Sequence, residues 1–417
     1  MAIKTGSILR NENFQKYFGM SLASRSATSV ASLVIVWYVF AVTQSSIDIA
    51  IVGVTETVSA VILALPAGIW IDRYNRLELL VVSNAIRALS ITALIFFSLF
   101  YGFDLIAIIV LLFVWTGAGE LYRSSSYSVL PELVGKGELA SANGIERSGR
   151  SLFTAVSNAV GGTLILVAGA TIALSWGAAG FFMTLLFSVL LLSSNRITIK
   201  PLSSKHEKKE SGISEIREGF AWLLSQRGLF WLTISALPFN FFFTISYYFL
   251  VVYVKTGLGA GPFIYGAILA GYSIGFAVGS PLVSRSKRAL KYAGKVWVLI
   301  YGGSIGTSLL IMGIFLNSFL GILLLLIVGL GTGFAGNVWL TSAQNIVPEK
   351  MRGRYFAVDG LLSFIGGPPA VAVGGVLVLV FGIVPVFELS GLIILLFVLI
   401  FSLFGSLWKL DGTGMPE

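Results

Sequence analysis

The chain contains no cysteine and one histidine, His206. Disulfides, thiolate metal sites and cysteine nucleophiles are excluded, and a lone imidazole in the most charged stretch of the sequence cannot anchor a metal centre. Charge is scarce as well, since Asp, Glu, Lys and Arg make up 11% of the 417 residues. No phosphate loop of the Gly-x-x-x-x-Gly-Lys-Ser/Thr type occurs, and no polar segment is large enough to form a nucleotide-hydrolysing domain. No cofactor is therefore expected. What is abundant is apolar: 56% of the residues are hydrophobic and the mean hydropathy is +0.91. Those values belong to a chain whose main solvent is lipid.

A helix needs about 20 apolar residues to cross roughly 30 Å of hydrocarbon. Runs of that kind are expected at 16–43, 47–71, 78–101, 104–127, 144–168, 170–192, 228–254, 261–284, 292–315, 318–342, 353–380 and 384–408, twelve in all. The 28 Lys and Arg residues exceed the 19 Asp and Glu residues, giving a net charge of +9. Of those basic residues only Lys255 falls in a segment expected to face outside. The loops DRYNRLE, PELVGKGELASANGIERSGR, SRSKRALKYAGK and PEKMRGR carry Lys or Arg, whereas TQSSID, YGFD, LNSF and FGIVPV carry none. Both termini are therefore expected inside. The positive charge orients helices against a cytoplasmic leaflet, so the lipid bilayer is the expected partner and nucleic acid is not. The opening MAIKTGSILRNENFQKYF lacks a cleavable signal pattern and reads as a cytosolic lead into the first span.

Apolar periodicity lapses once, near the middle, in NRITIKPLSSKHEKKESGISEIREGFAWLLSQRG. This divides the chain into a six-helix half at 1–194, a cytoplasmic linker at 195–227 and a second six-helix half at 228–417. Within the linker, Ile213, Ile216, Phe220, Leu223 and Leu224 recur at helical spacing beside Glu215, Arg217 and Glu218. Two readings are open, an amphipathic helix on the cytoplasmic surface and a solvated connector. The halves repeat one another. VLPELVGKGELASANG has a counterpart in IVPEKMRGRYFAVDG, with Pro131-Glu132 matched by Pro348-Glu349, and Arg285 and Arg288 stand where Arg73 and Arg76 stand. The expected fold is an all-α polytopic membrane protein, twelve transmembrane helices in two pseudo-repeats, N-in and C-in. Such parallel repeats place a ligand site near the bilayer midplane and let the halves rock about it.

The loop after the second span, Gly68-x-x-x-Asp72-Arg73-x-x-Arg76, resembles the Gly-x-x-x-Asp-Arg-x-Gly-Arg motif of the major facilitator superfamily, and the resemblance covers essentially the whole chain. Asn13-Phe14 to Ser24, Arg87, Leu130-Pro131-Glu132-Leu133-Val134 with Ala142-Asn143, and Val347-Pro348-Glu349 to Arg352-Gly353-Arg354 are similar to the branch holding macrolide, multidrug and enterobactin exporters. The resemblance implies secondary transport of a small-molecule substrate by a monomer in a prokaryotic plasma membrane. Three positions depart from the pattern. Asn75 replaces a glycine, which Asn is expected to tolerate by adopting positive φ. Ala27-Thr28 stands where Gly-Asp is common, and Asn84 where an acid is common.

The resemblance also implies a cytoplasmic gate formed by Gly68, Asp72, Arg73, Arg76 and Arg123. Physically, Asp72 at the inner end of its span is attracted to the N–H groups that open the segment 353–380 on the same side. The alternative for Arg73 and Arg76 is orientation alone. Inside the bilayer every ionisable residue is costly and hence a candidate. At a rise of about 1.5 Å per residue, Arg25 and Glu56 both lie near the midplane. They form either a structural pair or a site where proton binding on Glu56 is exchanged for substrate. Glu120, a second proton-coupling candidate, stands three residues before Arg123, a spacing that also suits a local ion pair. Asp359 is a further proton-coupling candidate close to an interface. Trp37, Trp115, Asn240, Tyr247, Asn337 and Trp339 are cavity candidates by their place in spans one, four, seven and ten of this kind of fold. Packing at helix interfaces is the alternative for each. Gly271, Gly275 and Gly279, and Gly329, Gly333 and Gly336, are spaced for close helix approach.

Three functions remain open. A proton-coupled exporter (antiporter) of amphipathic compounds needs a titrating carboxylate, Glu56 first. A facilitator or importer of a small, anionic metabolite would use Arg25 to bind substrate charge. A membrane enzyme or scaffold is disfavoured by the lack of any His, Cys and Asp constellation.

Overall fold

The computed structural model describes residues 8–134, 138–194 and 212–413. His206 and the charged stretch of the expected linker, 195–211, lie outside the described residues. All regular structure among the described residues is helical. The first unit holds α1 (Glu12–Thr43), α2 (Ser46–Arg73), α3 (Arg76–Phe100), α4 (Leu105–Leu133) and α5 (Leu139–Leu192). The second holds α6 (Gly212–Ser225), α7 (Arg227–Tyr248), α8 (Pro262–Gly279), α9 (Gly303–Ile314), α10 (Ser318–Ile346), α11 (Glu349–Ile365), α12 (Gly367–Phe381) and α13 (Ile383–Ser402). By compactness the chain divides into Met1–Gln44 with Ile51–Lys205, and Ser45–Ala50 with His206–Glu417. The short stretch that opens α2 thus groups with the second unit.

Among the described residues eleven helices are long and apolar enough to cross a bilayer. One of them, α5, is broken at Gly169 (φ 83°, ψ 169°), and counting its two arms apart gives twelve. The arms meet where sequence periodicity places the boundary between 144–168 and 170–192. Side-chain caps set several starts. Asn11 accepts from the N–H groups of Asn13 and Phe14 at 3.0 and 3.2 Å, and Asp104 from those of Ile106 and Ala107 at 2.9 and 3.2 Å. Each satisfies N–H donors that a helix start leaves open.

The structure corrects three expectations. Asn75 does not take positive φ; at φ −65° and ψ 120° it caps α3, accepting from Leu77 N–H at 2.9 Å. A polar cap is worth more there than a glycine's freedom. The segment 228–254 is not one helix, because α7 stops at Tyr248 and a π-helical turn follows at Tyr253–Gly257. The spans expected at 292–315 and 353–380 are found at Ala293–Ile314, which contains a π-helical turn at Val296–Gly302, and at Glu349–Phe381, where a turn at Gly366 lies between α11 and α12. Finally, α4 continues through Pro131 to Leu133, while its repeat partner Pro348 stands just before α11.

The helix within the expected linker, α6, packs against α11. Glu218 of α6 pairs with Arg354 of α11 at 2.7 Å, Trp222 meets the Tyr355 ring edge-on at 6.3 Å, and Leu223 is fully buried. Phe220 and Leu224 stay exposed. The side chains of Ile213 and Ile216 lie outside those described. Elsewhere in the second unit the glycine spacing acts as expected. A Cβ on Gly275 would stand 2.0 Å from Leu326 O, and one on Gly329 2.0 Å from Tyr272 O, so α8 and α10 touch backbone to backbone. Gly336 does not share in this, having nothing within 4 Å.

Candidate functional site

Within the first unit, four helices and the start of α5 enclose a cavity of about 310 Å³. Ser21, Ser24, Arg25, Thr28 and Ser32 fall on one stripe of α1, three or four residues apart, and all line it. Glu56 enters from α2, Arg87 from α3, Trp115, Glu120, Tyr122 and Arg123 from α4, and Arg150 from α5. The cavity therefore brings together five of the sequence candidates, Arg25, Glu56, Trp115, Glu120 and Arg123. Four arginines and two glutamates share one wall with hydroxyls and aromatic rings.

Most of these charges are tied locally. Arg123 Nε donates to Glu120 Oε2 at 2.9 Å, three residues away on the same helical face. Arg25 Nε donates to Thr154 Oγ1 at 2.7 Å. Glu146, 3% exposed, accepts from Ser21 Oγ at 2.7 Å and from Arg150 Nη1 at 3.2 Å. A buried carboxylate is tolerable in such surroundings because an ion pair and a hydroxyl replace its hydration. Arg87, also 3% exposed, donates to Ser24 Oγ at 2.9 Å, Thr28 Oγ1 at 2.6 Å and Asn84 Oδ1 at 3.2 Å. Its guanidinium lies 4.8 Å from the Tyr122 ring centre and 4.4 Å from that of Phe181. Asn84 in turn donates to Ser188 Oγ at 2.8 Å, so the amide that stands in for an acid holds Arg87 without supplying a countercharge.

The other candidates lie elsewhere. Gly68, Asp72 and Arg73 are exposed at the end of α2. Arg76 is buried at the start of α3 and pairs with Glu132 in the last turn of α4. Trp37 is buried in α1 away from the cavity lining. Five candidates belong to the second unit. Asn240 accepts from Tyr301 Oη, and Asn337 donates to Ser280 O at 3.3 Å and Gly333 O at 3.0 Å, which are helix-packing contacts. Tyr247 sits 6.1 Å from the Tyr272 ring, and Trp339 is 6.2 Å from Trp297. Asp359 is half-buried on α11.

Sequence reasoning did not single out Glu146 and Arg150, which fall where the charged stretch 131–150 overlaps the expected span 144–168. Both are inside α5, and the signal was available: they stand four residues apart, the spacing of a helical ion pair. Arg87 entered only through the family resemblance, although an arginine inside an apolar run is itself a marker.

Residues 17–371 match the model of the Major Facilitator Superfamily. Over 420 aligned residues the chain is 24% identical to the multidrug efflux pump Tap of Mycolicibacterium fortuitum, covering 95% of this chain and 96% of that one. Its fold is similar to a bacterial homologue of the iron transporter ferroportin, with TM-score 0.72 and 18% identity over 95% of this chain and 99% of the other. The nucleoside transporter NupG gives 0.70 and 14% over 94% and 98%, and a peptide-bound POT family transporter 0.71 and 12% over 94% and 96%. A family model that spans most of the chain, together with this fold, identifies the protein: the chain belongs to the major facilitator superfamily, and it is a multi-pass membrane transporter and not an enzyme.

Proposed function

We propose that the protein is a proton-coupled exporter of amphipathic compounds that works by alternating access between two six-helix halves, 1–194 and 228–417, joined by the segment 195–227. In this reading both termini face the cytoplasm of a prokaryotic cell and the monomer is the working unit. Asp72, Arg73 and Arg76 belong to the cytoplasmic gate. The observation that carries the reading is the cavity of the first unit, where Glu56 and Glu120 share a wall with Trp115 and Tyr122. A carboxylate in such a site can bind a proton when substrate leaves and release it when substrate enters. Aromatic faces suit the apolar part of an amphipathic solute. The similarity to Tap, an efflux pump by its description, supports the direction and the substrate class.

Uptake of lipophilic cations, macrolides and siderophore-like anions into proteoliposomes, with and without an imposed pH gradient, tests this. Gradient-driven accumulation that Glu56→Gln abolishes, with exchange retained, is the expected result. Unchanged accumulation in that variant removes the role given to Glu56. A second reading, a facilitator for a small anionic metabolite, is favoured by the surplus of arginine over glutamate on the same wall. Equilibration indifferent to the gradient decides for it.

A further inference from the structure

Arg87 differs from Arg123 and Arg150, the two arginines of this cavity that pair with a carboxylate on their own helix. Among the described residues no carboxylate stands within ion-pair distance of it, whereas Glu120 is committed to Arg123 and Glu146 to Arg150 and Ser21. Its partners are three neutral oxygens and two ring faces. These orient the guanidinium without neutralising it. A guanidinium stays charged at any working pH, so burial cannot be relieved by losing the proton. The Nε–H of Arg87 is buried and finds no acceptor in the protein. One other N–H on the same lining shares that state, the indole Nε1–H of Trp115, which is 2% exposed. Two buried donors without acceptors, one of them cationic, lie on a wall with room for a solute.

We infer that Arg87 and Trp115 form the recognition site for an oxyanion, a carboxylate or a phosphate ester, carried by the transported amphipathic compound. The anion supplies the countercharge the protein withholds. Binding gains from both a charge-assisted hydrogen bond and the relief of unpaired donors. A neutral ester of the same compound satisfies neither fully, which makes charge the basis of selection. The inference rests on the cavity of the proposed function being the substrate site and narrows its substrate class.

Rhodamine 110, with a free carboxylate, and rhodamine 123, its methyl ester, form a matched pair of probes. Their binding to the full-length protein in phosphatidylcholine nanodiscs is read by fluorescence anisotropy with no ion gradient, so the outcome is separate from that of the coupled-uptake assay. The expected result is at least tenfold tighter binding of rhodamine 110. That preference is lost in Arg87→Gln, partly kept in Arg87→Lys and reduced about threefold in Trp115→Phe. Equal affinities, preference for the ester, or no saturable binding of rhodamine 110 to the wild type overturns the inference without recourse to any variant. Preference retained in a correctly folded Arg87→Gln also overturns it. Replacing a third of the lipid by phosphatidylglycerol distinguishes the source of the anion. An unchanged preference assigns the site to a solute, and abolition of the preference assigns it to a lipid headgroup and overturns the substrate assignment.

Discussion

Gly169 and Gly382 hold the same backbone conformation, φ 83° with ψ 169° and φ 79° with ψ 166°, at matching places in the two halves of the sequence. The first breaks α5 and the second joins α12 to α13. Positive φ with extended ψ is open essentially to glycine alone, because a Cβ collides with the neighbouring carbonyl. Each glycine turns the chain in a single residue where two apolar helices follow one another. Gly169→Ala and Gly382→Ala are each expected to cost about 1–3 kcal/mol. Neither glycine has a neighbour within 4 Å of a Cβ, so the loss would be purely conformational. Thermal unfolding of the purified variants in detergent checks it, and an unchanged midpoint would contradict the strain argument.

The glycines between α8 and α10 should behave differently from one another. Gly275→Ala and Gly329→Ala drive a methyl into a carbonyl 2.0 Å away and are expected to destabilise by about 1–3 kcal/mol through overpacking. Gly336→Ala meets nothing and should be neutral or stabilising by up to about 1 kcal/mol, the helix propensity gain. The same unfolding assay across the three variants measures the contrast.

Glu146 and Arg150 form a pair in which the acid is 4% exposed and the base 33%. Removing only the cation by Arg150→Met leaves a buried carboxylate held by Ser21 alone. The expected cost is about 3 kcal/mol, at the low end for a buried pair because Arg150 is partly solvated. Adding Glu146→Gln to that variant should restore most of the loss. Additive effects in the double-mutant cycle would show that the two side chains do not interact.

The docking of α6 on α11 rests more on close packing than on charge. A Cβ at Gly219 would stand 2.7 Å from Arg354 O, so Gly219→Leu should lift the helix and let its backbone unwind for cleavage by trypsin after the exposed Arg217. Glu218→Gln removes a bond between side chains that are 47% and 32% exposed, and the expected loss is below about 1 kcal/mol with no new cleavage. Limited proteolysis of both variants separates the two contributions. Cleavage that appears with Glu218→Gln and not with Gly219→Leu would reverse this assignment.

The sequence by itself determined the lipid environment, the helical class, the positions of the apolar segments and the family. These follow from composition and from runs of side chains that must meet lipid, and such signals are local. It also marked Glu56, Glu120 and Arg123, because an ionisable residue in an apolar run stands out without any fold. The tertiary structure alone decided which charges share a cavity. Arg25, Glu56, Arg87, Glu120 and Arg150 come from five helices far apart in the chain, and only the packing of the first unit brings them to one wall. It also sorted the candidates of like type: Trp115 reaches that cavity while Trp37 does not, and Asn337 spends its amide on the carbonyls of Ser280 and Gly333. Helical spacing gives the face of a side chain and not the neighbour that face will meet. For that reason the uncompensated charge of Arg87 becomes visible only in the folded unit, where Glu120 and Glu146 are seen to pair with Arg123 and Arg150.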